Sequence, residues 1–179
     1  MKNKICLLLS LAAIGSLQAQ EIPSVVKNQF MVNVLVPGFV YEHGFDTKNT
    51  LYSEVSVGVG YRSNDFSGER WDFYPVINEQ FRHYYNLEKR AKKGKVTSHN
   101  SGGYYALTGS YVFQSIATKN DYYSKTIPSL TVGPVWGFER TYSRKFNLGL
   151  NLGLGVNIDK YDTEVVPILN FSLGWVLGK

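Results

Sequence analysis

The sequence predicts an all-β protein: an eight-stranded, antiparallel, up-and-down transmembrane β-barrel behind an N-terminal signal peptide. Three observations lead there. In FNLGLNLGLGVNI (Phe146–Ile158), Phe146, Leu148, Leu150, Leu152, Leu154, Val156 and Ile158 share one parity, while the other holds only Asn and Gly. Side chains alternate across a strand, so one face is continuously apolar and the other small and polar. Second, no later segment has the ~18 consecutive apolar residues a spanning helix needs, and mean hydropathy is slightly negative, as alternating strands would average. Third, turn residues bound nearly every alternating run.

The chain opens MKNKICLLLSLAAIGSLQAQ. Lys2 and Lys4 form a basic start, Ile5 to Gly15 a short apolar core, and Ala19 a small residue at a cleavage position. This predicts an exported protein with a signal peptide over 1–19 and one barrel domain over 20–179. Cys6 lies inside the signal, so the mature chain has no thiol, disulfide or cysteine metal site. Losing Lys2 and Lys4 lowers the net charge from +5 to +3, which gives no reason to expect nucleic acid as a partner.

The expected strands follow in order. The first is Gln29–Val36, closed by Pro37-Gly38; the second is Phe39–Phe45, followed by the turn Asp46–Asn49. The third is Thr50–Arg62, with a polar loop to Trp71, and the fourth Asp72–Tyr85. After the charged segment Asn86–Asn100 comes the fifth, Gly103–Ser115, then a loop over Ile116–Thr126. The sixth is Ile127–Tyr142, turning at Ser143–Lys145 into the seventh, Phe146–Asp159. The eighth runs from Val165 to Gly178. An even count puts both termini on one side, the periplasmic one after export. The turns there at 46–49 and 143–145 are expected to be short, and the loops at 62–71, 116–126 and 159–164 outward and mostly longer. Three residues strain the pattern. Pro134 cannot donate within strand six and needs a bulge or break. Glu79 falls on the lipid-facing parity of strand four, which suggests a bulge that shifts the parity. Arg140 points outward near a strand end, where it can snorkel.

The inward parity gathers Glu42, Glu54, Arg62, Gln80, Arg82 and Glu139 with several asparagines. Buried carboxylates need cationic or hydrogen-bonding partners. Arg82, whose planar fork can bridge two carboxylates, is expected to centre a network with Glu42, Glu54 and Glu139. An interior of this size is just filled by side chains, so no channel is expected. The run Lys89, Arg90, Lys92, Lys93 and Lys95 makes a long basic periplasmic turn, suited to anionic headgroups or a periplasmic partner. His43, His83 and His99 are scattered, with no spacing of a nucleophile, base and acid and none of metal ligands.

GFVYEHGFDTKNTLYSEVSVGVGYR (Gly38–Arg62) resembles the second and third strands of small outer-membrane barrels of the OmpX/OmpA-barrel type. PVINEQFRHYYN with KRAKKGK and NSGGYY (Pro75–Tyr105), and GFERTYSRKFNLGLNLGLGV (Gly137–Val156), resemble small barrels of Gram-negative outer membranes. Such barrels commonly end on an aromatic residue; this chain ends Trp175-Val176-Leu177-Gly178-Lys179. The expected role is non-enzymatic and without cofactor. It is structural or interacting within the cell envelope, with outer-membrane lipid, lipopolysaccharide and an envelope protein as partners. The alternatives are a lipid-modifying enzyme of the outer membrane and a soluble periplasmic ligand-binding barrel.

Overall fold

A computed structural model describes residues 23–64, 68–118 and 126–177, with the backbone alone at 62–64, 68–70 and 117–118. The expected signal peptide, the side chain of Arg62 and Gly178 fall outside this description. The strands are β1 (Asn28–Asn33), β2 (Gly38–Gly44), β3 (Asn49–Asn64), β4 (Gly68–Tyr84), β5 (Gly103–Val112), β6 (Ser129–Thr141), β7 (Phe146–Asp159) and β8 (Thr163–Leu177). One helical turn, α1 (Leu87–Ala91), follows β4. Ala117–Thr118 pairs with Asp72 and Phe73 of β4, prolonging the β4–β5 ladder after a break.

Each strand pairs antiparallel with its chain neighbours, and β8 pairs with β1, so the eight strands close into a hydrogen-bonded ring. The seam pairs Phe30↔Leu177 through Asn33↔Gly174. Along the seam, closure satisfies edge donors and acceptors that an open sheet would leave to water or to another chain. Pro37-Gly38 does close a true hairpin: the connection is 34–37, and the strand count stays at eight.

Alternation of side chains sorts the residues into two faces. On β7, Asn147, Gly149, Asn151 and Gly155 are buried, while Leu152, Leu154, Val156 and Ile158 are exposed. On β3, Leu51, Val55, Val57, Val59 and Tyr61 are exposed, as the alternation required. Tyr105, Leu107, Trp136, Leu169, Phe171 and Trp175 are exposed likewise.

Several expectations are corrected. The ladder of β3 with β4 continues through Ser63↔Glu69 and Asn64↔Gly68, so the expected loop at 62–71 is mostly strand. Backbone pairing needs no apolar side chains, and polar residues can extend a hairpin beyond an apolar band. The 159–164 loop shrinks to 160–162 for the same reason. Conversely, β1 stops at Asn33, three residues short of the expected Val36, and β5 stops at Val112. The longest described connection, 85–102, lies at the end where β1 begins and β8 ends and contains the long basic turn expected there, while the connections 45–48 and 142–145 on the same side are short. No bulge surrounds Glu79: the β3–β4 register runs unbroken through Ser53↔Glu79. Glu79 stays outward and exposed, accepting a hydrogen bond from Ser53 Oγ at 2.7 Å. Its other cross-strand neighbour is Gly109, which adds no side chain over it.

Pro134 is accommodated by a break. The β6–β7 ladder skips from Val132↔Val156 to Val135↔Gly153 without changing register. The backbones crowd there: a Cβ on Gly153 would collide with the Pro134 carbonyl, which explains a glycine at that position.

Candidate functional site

Arg82 and Glu139 meet on the enclosed face, near the end of the ring where β1 begins and β8 ends. Arg82 comes from β4 and Glu139 from β6, with Glu42 on β2 completing the charged group. Arg82 Nη1 lies 2.8 Å from Glu139 Oε2 and 3.7 Å from Glu42 Oε1. All three side chains are almost fully buried. One guanidinium therefore faces two carboxylates, and hydrogen bonds make up the difference. Glu42 accepts from Thr50 Oγ1 at 2.6 Å, Tyr84 Oη at 3.0 Å and Asn100 Nδ2 at 2.9 Å. Glu139 also accepts from Asn147 Nδ2 at 2.8 Å. Arg82 Nε donates to Gln80 Oε1 at 2.9 Å. The guanidinium lies against the Tyr52 ring, 3.6 Å from its centroid, and against Tyr104 at 4.4 Å. Aromatic faces favour a cation there and exclude water.

Glu54, expected in the same network, stands apart. Its Oε1 accepts from Asn33 Nδ2 at 2.6 Å and its Oε2 from Tyr52 Oη at 3.1 Å. Among the described residues no cation lies within ion-pair distance of it. Glu54 sits on β3 four residues further from the end where β1 begins than Thr50, the partner of Arg82, and its own row of the sheet pairs with Val40 and Asn78.

A cap covers this cluster at the end where β1 begins and β8 ends. The connection 85–102 folds back over the opening and buries Leu87, Asn100 and Ser101. Asn100 bonds in two directions: its Nδ2 reaches Glu42, and its Oδ1 accepts from the Val26 backbone N–H at 2.7 Å. It does so with φ 57°, a left-handed conformation that asparagine tolerates better than most residues. Arg140, expected to snorkel, instead donates from Nη1 to the Gly102 carbonyl at 2.7 Å and so ties the cap to β6. Val25 N–H donates to the Thr47 carbonyl, bringing the N-terminal segment into the same lid.

Within the basic run, Lys89 and Arg90 lie on α1 and Lys92, Lys93 and Lys95 on the turn after it. Arg90 is engaged with the Val96 carbonyl at 2.9 Å. Lys48 pairs with Glu88 at 3.1 Å. The remaining lysines are exposed on the outer surface of the cap.

A void of about 30 Å³ remains beside Arg82, room for about two waters. A larger cavity of about 370 Å³ lies toward the uncapped end, with Glu54, Asn33 and Asn78 among its walls.

His43 and His83 project outward, and their Nδ1 atoms meet the amide oxygens of Asn28 and Asn49, not an acid. Each carboxylate oxygen of Glu42 and Glu139 accepts at least one internal hydrogen bond. This arrangement suits holding the ring rigid.

Tyr52, Tyr84, Tyr104 and Asn100 belong to this site and were not anticipated. The three tyrosines lie on the inward parity beside Arg82, a signal available from alternation alone. Asn100 lies in a connection, where no periodicity applies. Compared with known protein families, curated proteins and solved structures, the chain matches none.

Proposed function

We propose that the protein is an integral outer-membrane β-barrel with a closed polar core, serving the cell envelope in a structural or interaction role. The observation that carries this reading is the distribution of polarity. Buried side chains on the ring include Glu42, Gln80, Arg82, Glu139 and Asn147, while large apolar groups such as Phe39, Leu154 and Leu169 are more than 60% exposed. A water-soluble ring would reverse this, because exposed apolar surface is unfavourable in water and buried charge is expensive. In a bilayer the same outer face is solvated by lipid. Aromatic contacts toward the terminal end, among them Tyr85 with Tyr105 and Phe146 with Trp175, suit one interfacial girdle. Tyr61 with Trp71 and Tyr111 with Phe113 suit the other.

In this reading the capped end faces the periplasm, and its exposed lysines meet anionic headgroups or an envelope partner. Lipid and lipopolysaccharide surround the wall. Fractionation tests the proposal. The protein should sediment with outer membranes, require detergent, and migrate differently on gels before and after heating. Recovery as a soluble periplasmic monomer would end it.

A further inference from the structure

We propose that the wall of the ring is open on one side, and that this opening binds an amphiphile bearing a primary ammonium group. The opening follows from strand lengths. β1 and β2 have 6 and 7 residues, whereas β3 and β8, which flank them, have 16 and 15. Their hairpin ends after two last bonds, Val57 N–H to the Pro37 carbonyl and Val34 N–H to the Leu173 carbonyl. Beyond these, among the described residues, β3 pairs only with β4, and β8 only with β7. Two free edges thus flank a gap where two strands are missing.

The 370 Å³ cavity lies in that gap. Its walls include Ser56 and Asn170 from the enclosed parity and Val59 and Leu169 from the outer parity of the same two strands. An intact sheet separates its two faces, so a cavity touching both passes through the wall. Asn170 agrees: it is on the enclosed parity yet exposed, while its neighbour Asn151 on β7 is buried.

The chemistry of the opening selects the occupant. Glu54 sits at its floor, half-buried, without a cation among the described residues. Each of its oxygens accepts one hydrogen bond and keeps capacity for another. An ammonium group supplies the charge and three donors. Val36, Val59, Leu169 and Phe171 make an apolar rim on the face turned to lipid, which suits an alkyl tail. The volume is that of a small-molecule site, ~300–1,000 Å³. An added peptide strand is disfavoured. Leu173 turns its carbonyl toward β1, so Pro167, of the same parity, lacks the donor such a strand would need.

The ligand's arrival through the bilayer rests on the membrane reading; the site itself does not. The test uses the full protein in micelles of an uncharged maltoside detergent, titrated with dodecylammonium chloride. The side-chain amides of Asn33, Asn78 and Asn170 are followed by NMR. Saturable shifts are expected. Glu54→Gln should weaken binding about tenfold or more, and so should replacing the probe with butylammonium or dodecanol. Ser110→Phe, which fills the cavity from β5, should abolish the shifts. Heat-modifiable migration shows which variants are folded, and the probe comparisons need no variant at all. Dodecanol binding as tightly as dodecylammonium, a folded Glu54→Gln with unchanged affinity, or shifts confined to the outer face would each overturn the site. Failure here leaves the membrane fractionation result untouched, and the reverse also holds.

Discussion

Removing Arg82 should be the most damaging single change in the core. Arg82→Met keeps much of the bulk but withdraws the cation that, among the described residues, alone pairs with Glu42 and Glu139, which approach it at 3.7 and 2.8 Å. Breaking a buried pair in this way costs about 3–5 kcal/mol, because the partner is left charged and unsolvated. The two carboxylates will not suffer equally. Glu42 keeps three donors, from Thr50, Tyr84 and Asn100, whereas Glu139 keeps only Asn147. Adding Glu139→Gln to Arg82→Met should therefore restore more stability than adding Glu42→Gln. With a urea slope of ~2 kcal/mol per molar, a loss of about 4 kcal/mol moves the unfolding midpoint down by about 2 M. The assay is urea unfolding in detergent micelles or lipid vesicles, read by tryptophan fluorescence and heat-modifiable migration. A midpoint within about 0.5 M of wild type, or equal rescue by the two glutamate variants, would refute the reasoning.

Other expectations follow from the same geometry. Leu152→Arg, on the exposed face of β7, should impair assembly by about 2–4 kcal/mol while Asn151→Ser is tolerated, and assembly yield in vesicles separates them. Asn100→Ala should cost about 2–3 kcal/mol through its lost bond to the Glu42 carboxylate; the same urea titration measures it, and a neutral result would uncouple the cap from the core. Asp46 accepts the Lys48 N–H and the backbone and side-chain groups of Asn49, which hold its carboxyl below the usual value of 3.8. A depressed carboxyl stabilises the fold above its unfolded pKa, and that contribution is lost as the pH falls through the lower folded one. Asp46→Asn should thus flatten the acid limb of stability below pH 3.8, seen as a wild-type minus variant difference that shrinks with acidification. In a planar bilayer the protein should show no large steady conductance, since the capped end and Arg82 leave a void of only about 30 Å³.

Alternation made the faces readable. From Phe146 to Ile158 every residue lies on the face its parity assigned, because a strand has no freedom to turn one side chain alone. Arg82, Glu42 and Glu139 could be grouped for the same reason. Glu54 could not be separated from them, because parity specifies a face and not a height, and height depends on register around the ring. Strand ends were legible only where a turn residue forced them, as at Asp46. At Ser63, Asn64 and Glu69 the ladder continues through polar residues that carry no apolar signal. The cap was the least legible part. Its anchor, Asn100, owes its place to a left-handed backbone and to two partners distant in sequence, Val26 and Glu42.

The seam between β1 and β8 has a kinetic meaning. Among the described residues it holds the pairs from Phe30↔Leu177 to Asn33↔Gly174, while β3–β4 runs from Asn49↔His83 to Asn64↔Gly68. The seam's partners come from opposite ends of the chain, so their loop-closure entropy must be overcome before any pair is gained. The hairpins should therefore zip first into an open ribbon, which becomes a ring only when its last strand arrives. The seam is also where opening begins, so its amides should exchange with deuterium before those of β3–β4; the opposite order would contradict this sequence of events. Deleting the final strand should therefore leave no smaller ring, but a curved ribbon with two bare edges, open to pairing with its own copies.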